Sequence, residues 1–168
     1  MITALLKSLF EYKAWANQDL LIKLCDIDVE KYPKQRKLAI RLLNHTHVVD
    51  RIFQAHLTGV THHYDASNTP ETPTMDELQA AIQTTDAWYV DYVCTLPVES
   101  MTERIAFVFT DGQNGCMNRE EILAHLITHG GYHRGAIGRI LTEVGLTPPR
   151  DGLTGFLHQT EPERRERG

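Results

Sequence analysis

The 168-residue chain reads as an all-α protein, a four-helix bundle with a short β-hairpin or extended segment between its third and fourth helices. Three observations predict this. Four long segments repeat apolar residues at intervals of three and four, the spacing that lines one face of a helix. The connections between them are modest, with no internal repeat and no long linker, which favours helices packed on helices around one core. The stretch 102–110 has β-forming composition and is followed by Asp111-Gly112, a favoured hairpin turn.

The first helix is expected over residues 2–25, where Ile2, Leu5, Leu6, Leu9, Leu20 and Leu24 share a face with small Ala16, and Lys7, Glu11 and Asp19 lie elsewhere. Tyr32-Pro33-Lys34 reads as a break. A second periodic segment starts near Lys37 and runs through Ile40, Leu43, His47, Val48, Ile52, Ala55 and Leu57 to Gly59. Residues 61–73 are rich in turn formers and polar side chains and read as a surface loop. Thr74-Met75-Asp76-Glu77 then has the capping-box spacing, in which each side chain satisfies the other's backbone N–H. Leu78, Ala81, Ile82, Trp88, Tyr89 and Tyr92 carry this third helix to Leu96-Pro97. Asn118 is the candidate N-cap of the fourth, whose first turn holds Glu120 and Glu121 against the helix dipole, and Gly145 with Pro148-Pro149 marks its end. A single domain over 1–158 is expected, followed by a tail, 159–168, too charged to bury and expected to fray.

Seventeen Lys and Arg against twenty-two Asp and Glu leave a formal charge of −5, which repels a phosphate backbone, so no nucleic-acid partner is expected. No stretch approaches the ~18 to 20 apolar residues that span a bilayer, so no membrane association is expected either. The N-terminus has no basic segment ahead of an apolar run, which points to the cytoplasm. Cys25, Cys94 and Cys116 are odd in number and far apart, and suit separate reduced thiols.

Nine histidines are the compositional feature to explain, and eight fall in two groups, at 45, 47, 56, 62 and 63 and at 125, 129 and 133. In the fourth helix His125, His129 and His133 are spaced one turn apart, so neighbours share a face and two imidazoles can converge on one ion. The outer two stand about 12 Å apart along the axis at a rise of ~1.5 Å per residue, so either 125/129 or 129/133 forms the pair. Gly130, Gly131, Gly135 and Gly138 each cost roughly 1 kcal/mol against Ala inside a helix, which implies a close approach to the backbone by another helix, a ligand or a second subunit. A third imidazole from the second helix completes such a site. His45 and His47 are two positions apart and cannot face the same way, so at most one of them joins. His56, His62 and His63 read as solvent-side or loop residues, and His158 belongs to the tail. Imidazole-only ligation suits zinc, nickel, iron or copper rather than calcium or magnesium, and three ligands leave coordination positions for water or substrate.

Three motifs, Tyr12-Lys13-Ala14-Trp15-Ala16-Asn17, Leu43-Asn44-His45-Thr46-His47-Val48-Val49-Asp50-Arg51-Ile52-Phe53 and His129-Gly130-Gly131-Tyr132-His133-Arg134-Gly135, together resemble the DinB/YfiT-like family of metal-dependent proteins. The resemblance spans most of the chain. It implies a four-helix bundle with a metal held by one histidine of the second helix and the H-x-x-x-H of the fourth, which here are His45, His129 and His133. It also implies a homodimer, for which the small residues of the fourth helix offer a surface. The chain departs from the family pattern at Phe53, often Trp, and at Ala136, often Gln, where a polar group near the ligands is lost. Some relatives are transferases or isomerases that use glutathione, mycothiol or bacillithiol, so the resemblance implies a divalent transition metal, a low-molecular-weight thiol and a small-molecule substrate. The rival expectations are a non-enzymatic, stress-linked bundle with a structural metal, and a metal-dependent hydrolase without a thiol. Asp50 and Arg134 are the candidate catalytic residues, Asp50 as a base or as the group orienting an imidazole and Arg134 as the partner of an anionic substrate group. For both, an ion pair within the protein is the competing reading. Trp15 and Asn17 are expected to pack or hydrogen-bond the first helix onto the others.

Overall fold

Helix α1 spans Ile2–Cys25, α2 Pro33–Thr58, α3 Met75–Thr95 and α4 Arg119–Glu143. Between α3 and α4 lies an antiparallel hairpin of β1 (Arg104–Val108) and β2 (Asn114–Asn118), and a short α5 (Leu153–Thr160) follows α4. This computed structural model describes residues 2–166; Met1, the last two residues of the charged tail and the side chains of Ile2 and Thr3 lie outside the described residues. The all-α class with a hairpin between the third and fourth helices is therefore what the chain adopts.

Local chemistry sets the helix ends. Thr74 accepts from the Glu77 N–H while Glu77 accepts from the Thr74 N–H, and Asn118 and Glu121 repeat the arrangement at α4. Helix α2 begins at Pro33, inside the stretch read as a break and ahead of the start expected near Lys37, because proline at the first helical position lacks only an N–H that would have no helical partner anyway. It ends at Gly59, whose φ of 69° is the left-handed conformation that glycine adopts without a Cβ clash. In the hairpin Arg104 pairs with Asn118 and Val108 with Asn114, and the Phe109 N–H donates to the Gln113 carbonyl at 2.8 Å to close the turn.

Helix α5 is absent from the sequence reading. It is short, contains Gly155 and starts at Gly152 without a side-chain cap, so no local signal announces it. Tertiary packing holds it instead: Phe156 is buried against Tyr12 and Trp15, with ring centroids 6.2 and 5.8 Å apart. The helix runs past residue 158, and a single 3₁₀ turn at Pro162–Arg165 carries exposed charges.

The four long helices form a ring of neighbours in the order α1, α3, α2, α4, so consecutive α1 and α2 lie across the diagonal. Their interior is layered. One apolar cluster gathers Leu20, Leu24, Leu43, Leu78, Ile137 and Leu141, and a second gathers Phe10, Val49, Phe53, Tyr89, Ile122 and Leu126. Between them every long helix interrupts its apolar stripe with polar side chains, Lys13 and Asn17 on α1, Asn44 and Asp50 on α2, Asp86 on α3 and Arg134 on α4, all buried. Leu5, expected on the inward face, is instead 61% exposed, and Leu6 and Phe10 point inward. The candidate site lies in this polar layer.

Candidate metal centre

His129 and His133, one turn apart on α4, face His45 on α2, and the ligand nitrogens of the three lie within 4.8 Å of one another. The ring centroids of His45 stand 5.0 Å from His129 and 4.7 Å from His133. The Nδ1 of His45 lies 2.7 Å from the Ser67 carbonyl. A carbonyl only accepts, so His45 donates from Nδ1, and in the neutral ring its lone pair is on Nε2. That Nε2 is 3.1 Å from Nε2 of His129. Nδ1 of His129 and Nδ1 of His133 are buried without a hydrogen-bond partner.

Burial, then the nearby His133 and His45, lowers His129 to a pKa of about 3. His133 is lowered by burial and then by His45. Both rings are therefore neutral at pH 7, with lone pairs in a crowded space and no carboxylate between them, an electrostatic arrangement that a cation complements. A carbonyl behind a ligand imidazole is a common feature of metal sites, where it fixes tautomer and ring orientation. The donor set, three imidazoles with ligand nitrogens within 4.8 Å of one another, fits a divalent transition ion.

The loop expected over 61–73 is what positions Ser67. Asn44 donates to Asn68 Oδ1 at 2.5 Å and to Thr69 Oγ1 at 2.7 Å, while Asn68 donates back to the Arg41 carbonyl at 3.0 Å. Asn44 and Asn68 are thus site-supporting residues that the sequence reading did not single out. Their signal in the sequence is faint: Asn44 precedes a ligand, and nothing local says which loop residue it meets.

His47 does not join the triad. Its pKa is lowered to about 4, first by burial and then by Arg51 and Lys13, and its Nδ1 has no partner. His125 stacks on His129 with centroids 5.3 Å apart without joining the group. His56, read as solvent-side, is half-buried against Phe107 at 4.9 Å. His63 is exposed, and His158 bonds the Thr154 carbonyl on its own helix at 2.7 Å.

Asp50 accepts from Lys13 Nζ at 2.7 Å, and Asp86 accepts from the same ammonium at 2.8 Å. Burial raises Asp50 to a pKa of about 6 against the opposing pull of Lys13, and its Oδ1 has no partner. Arg134 donates to Asp151 at 2.7 Å and to Asn17 at 3.2 Å and is 4% exposed. Each candidate catalytic residue is thus ion-paired inside the protein. The partners lie on other elements, out of reach of a local reading. Asn17, donating to Asp86 at 2.8 Å, ties α1 to α3 as expected. The close approach implied by the glycines is seen at Gly130, where a Cβ would stand 3.1 Å from Arg134 Nη1 of the same helix, whereas at Gly138 a Cβ would meet Pro148 at an ordinary contact of 3.5 Å. Gly135 faces open space.

Three imidazoles converging within a layered helical scaffold define a protein with a side-chain group able to hold a metal ion. The sequence profile of the DinB family matches residues 1–166, and the chain belongs to that family. It is 24% identical over 168 residues to Protein DinB of Bacillus subtilis (strain 168), covering 91% of this chain and 95% of that relative. No solved structure matches it. Among the described residues no helix is long and apolar enough to cross a membrane.

Proposed function

We propose that the protein binds one divalent transition ion, zinc, nickel or iron, through His45, His129 and His133, and uses it in a thiol-dependent transfer or isomerisation of a small molecule. The observation that carries the metal reading is the lone pair of His45, directed by the Ser67 carbonyl toward His129 at 3.1 Å. When bound, such an ion supplies Lewis acidity and favours the thiolate of a thiol cofactor at neutral pH. His45, His129 and His133 would hold it, and three ligands would leave coordination positions for water or substrate, while Asp50 and Arg134 act at a distance by fixing α1, α2, α3 and the segment before α5 around the ligands. The free and exposed Cys25, Cys94 and Cys116 suit a reducing, cytoplasmic compartment. A homodimer through α4 is part of the same reading, supported by Tyr132 at 76% exposure and by exposed Gly135 and Ala136 beside it; sedimentation of wild type as a monomer would remove it.

Elemental analysis of purified protein beside a His129→Ala/His133→Ala variant tests the ion. About one equivalent is expected in the first and almost none in the second, and equal contents sink the proposal. Thermal shift with zinc and each of glutathione, mycothiol and bacillithiol tests the reaction class. A ligand at a hundredfold its Kd stabilises the fold by about 2.7 kcal/mol. Stabilisation by a thiol only when metal is present is expected; bound metal with no response to any thiol turns the reading to a hydrolase or a non-enzymatic bundle.

A further inference from the structure

His129 has a second neighbourhood. Its ring forms part of the wall of a half-open cavity of about 340 Å³ lined by Ile52 and Phe53 of α2, Phe107 of β1, Phe109 of the turn and Met117 of β2. No Asp, Glu, Lys or Arg lines this cavity. An ionised group placed there would lose hydration without gaining a partner, so the walls select an uncharged ligand. Aromatic rings run without a break from the hairpin to the triad: Phe107 meets Phe53 at 5.4 Å, Phe53 meets His125 at 5.4 Å, and His125 stacks on His129 at 5.3 Å.

The hairpin is built to present these rings. A Cβ on Gly115 would stand 2.7 Å from Phe107 Cζ and 2.8 Å from Phe109 Cε2, so glycine is what lets both aromatics lie over β2. Phe107 is 7% exposed and forms the floor, whereas Phe109 is 46% exposed and forms the rim. The volume lies within the ~300 to 1,000 Å³ of small-molecule pockets and exceeds the ~150 Å³ that accepts a benzene ring.

We propose that this cavity binds an uncharged aromatic group of the substrate, one or two rings in size, beside the His45–His129–His133 group. The inference rests on the metal reading for what happens at the triad, and on the walls alone for the ligand class. Ser67, whose carbonyl holds His45, also lines the cavity, so ligand and metal ligand share a support.

The test is a titration of isotope-labelled full-length protein with indole, an uncharged two-ring probe, followed by NMR in metal-free and zinc-loaded samples. Saturable shifts are expected at the Met117 methyl and at the Phe109 and His125 rings in both samples. Phe109→Asp places a carboxylate on the rim, and Met117→Gln replaces an apolar wall by an amide. Each is expected to weaken indole at least about tenfold while circular dichroism and metal content stay native. No saturable shift, shifts confined to another surface, or unchanged affinity in both folded variants would overturn the inference. Metal measured on the same samples separates the two ideas: indole binding without metal retention overturns only the metal reading, and metal retention without indole binding overturns only this one.

Discussion

Two polar clusters lie among the long helices, an ionic one drawn from all four and a group of imidazoles on α2 and α4, and they differ in how their charges are met. In the ionic one, Lys13 is fully buried between two carboxylates at 2.7 and 2.8 Å, and Asn17 and Arg134 extend the hydrogen bonds to Asp86 and Asp151. In the other, three imidazoles face one another, two of their ring nitrogens have no partner, and no carboxylate joins them. Burying a charge is costly unless it is paired, so the ion-paired first cluster reads as architecture, while the second is a group of imidazoles that could hold a metal ion. Burial by itself does not distinguish them. Charge pairing does: Asp50 and Arg134 each meet an opposite charge inside the protein, whereas the three imidazoles meet only one another.

Removing the cation of the ionic cluster is expected to have the largest effect. Lys13→Met leaves Asp50 and Asp86 buried without a counter-charge and is expected to cost about 3 to 5 kcal/mol in guanidinium unfolding. A loss below about 1 kcal/mol would break the distinction between the clusters. The triad is expected to respond in metal affinity instead of stability. Asn68→Ala loosens the loop that carries the Ser67 carbonyl and is expected to weaken zinc by about 10- to 100-fold in chelator competition, the range seen when the group behind a ligand imidazole is altered. An unchanged affinity would mean that the loop does not position His45.

The gentlest effect is on the pH dependence of the metal-free protein. His47 and His129 titrate near about 4 and about 3 in the fold against 6.5 as a reference. Between pH 6.5 and 4 the unfolded chain takes up protons on these rings that the folded chain does not, so stability falls as the pH falls. Asp50 works in the opposite sense: raised from 3.8 to about 6, it binds its proton more readily in the fold and adds stability as the pH drops through that window. Guanidinium midpoints from pH 7 to 4.5 are expected to fall modestly, and to fall less in His47→Leu. A midpoint that rises on acidification would show that the carboxylate outweighs the imidazoles.

Much of this was legible in the residues. Both capping boxes, the hairpin turn and the one-turn spacing of His129 and His133 are local patterns whose physics is complete within a few residues. Lys13 and Asp86 escape the sequence reading, although each sits on an apolar stripe, in the series Leu6, Phe10, Lys13, Asn17, Leu20 and in the series Leu78, Ile82, Asp86, Tyr89, Val93. A charged side chain at a stripe position is the signal that a buried ion pair leaves. Pro33 misleads because one residue type both breaks helices and starts them. Helix α5 has too little local preference to be seen, and it exists because Phe156 finds Tyr12 and Trp15.

By itself the sequence determined the four long helices, the hairpin and a shortlist of imidazoles, because periodicity and capping act over one or two turns. Only the tertiary structure decided which imidazoles meet. The separation of 84 residues between His45 and His129 is closed by the packing of α2 on α4, and the tautomer of His45 is set by a carbonyl 22 residues away in a loop. The same packing turned Asp50 and Arg134 inward to counter-charges on other elements and set a charge-free aromatic cavity against His129. Such long-range outcomes depend on how apolar faces assemble around a core, which local spacing does not encode.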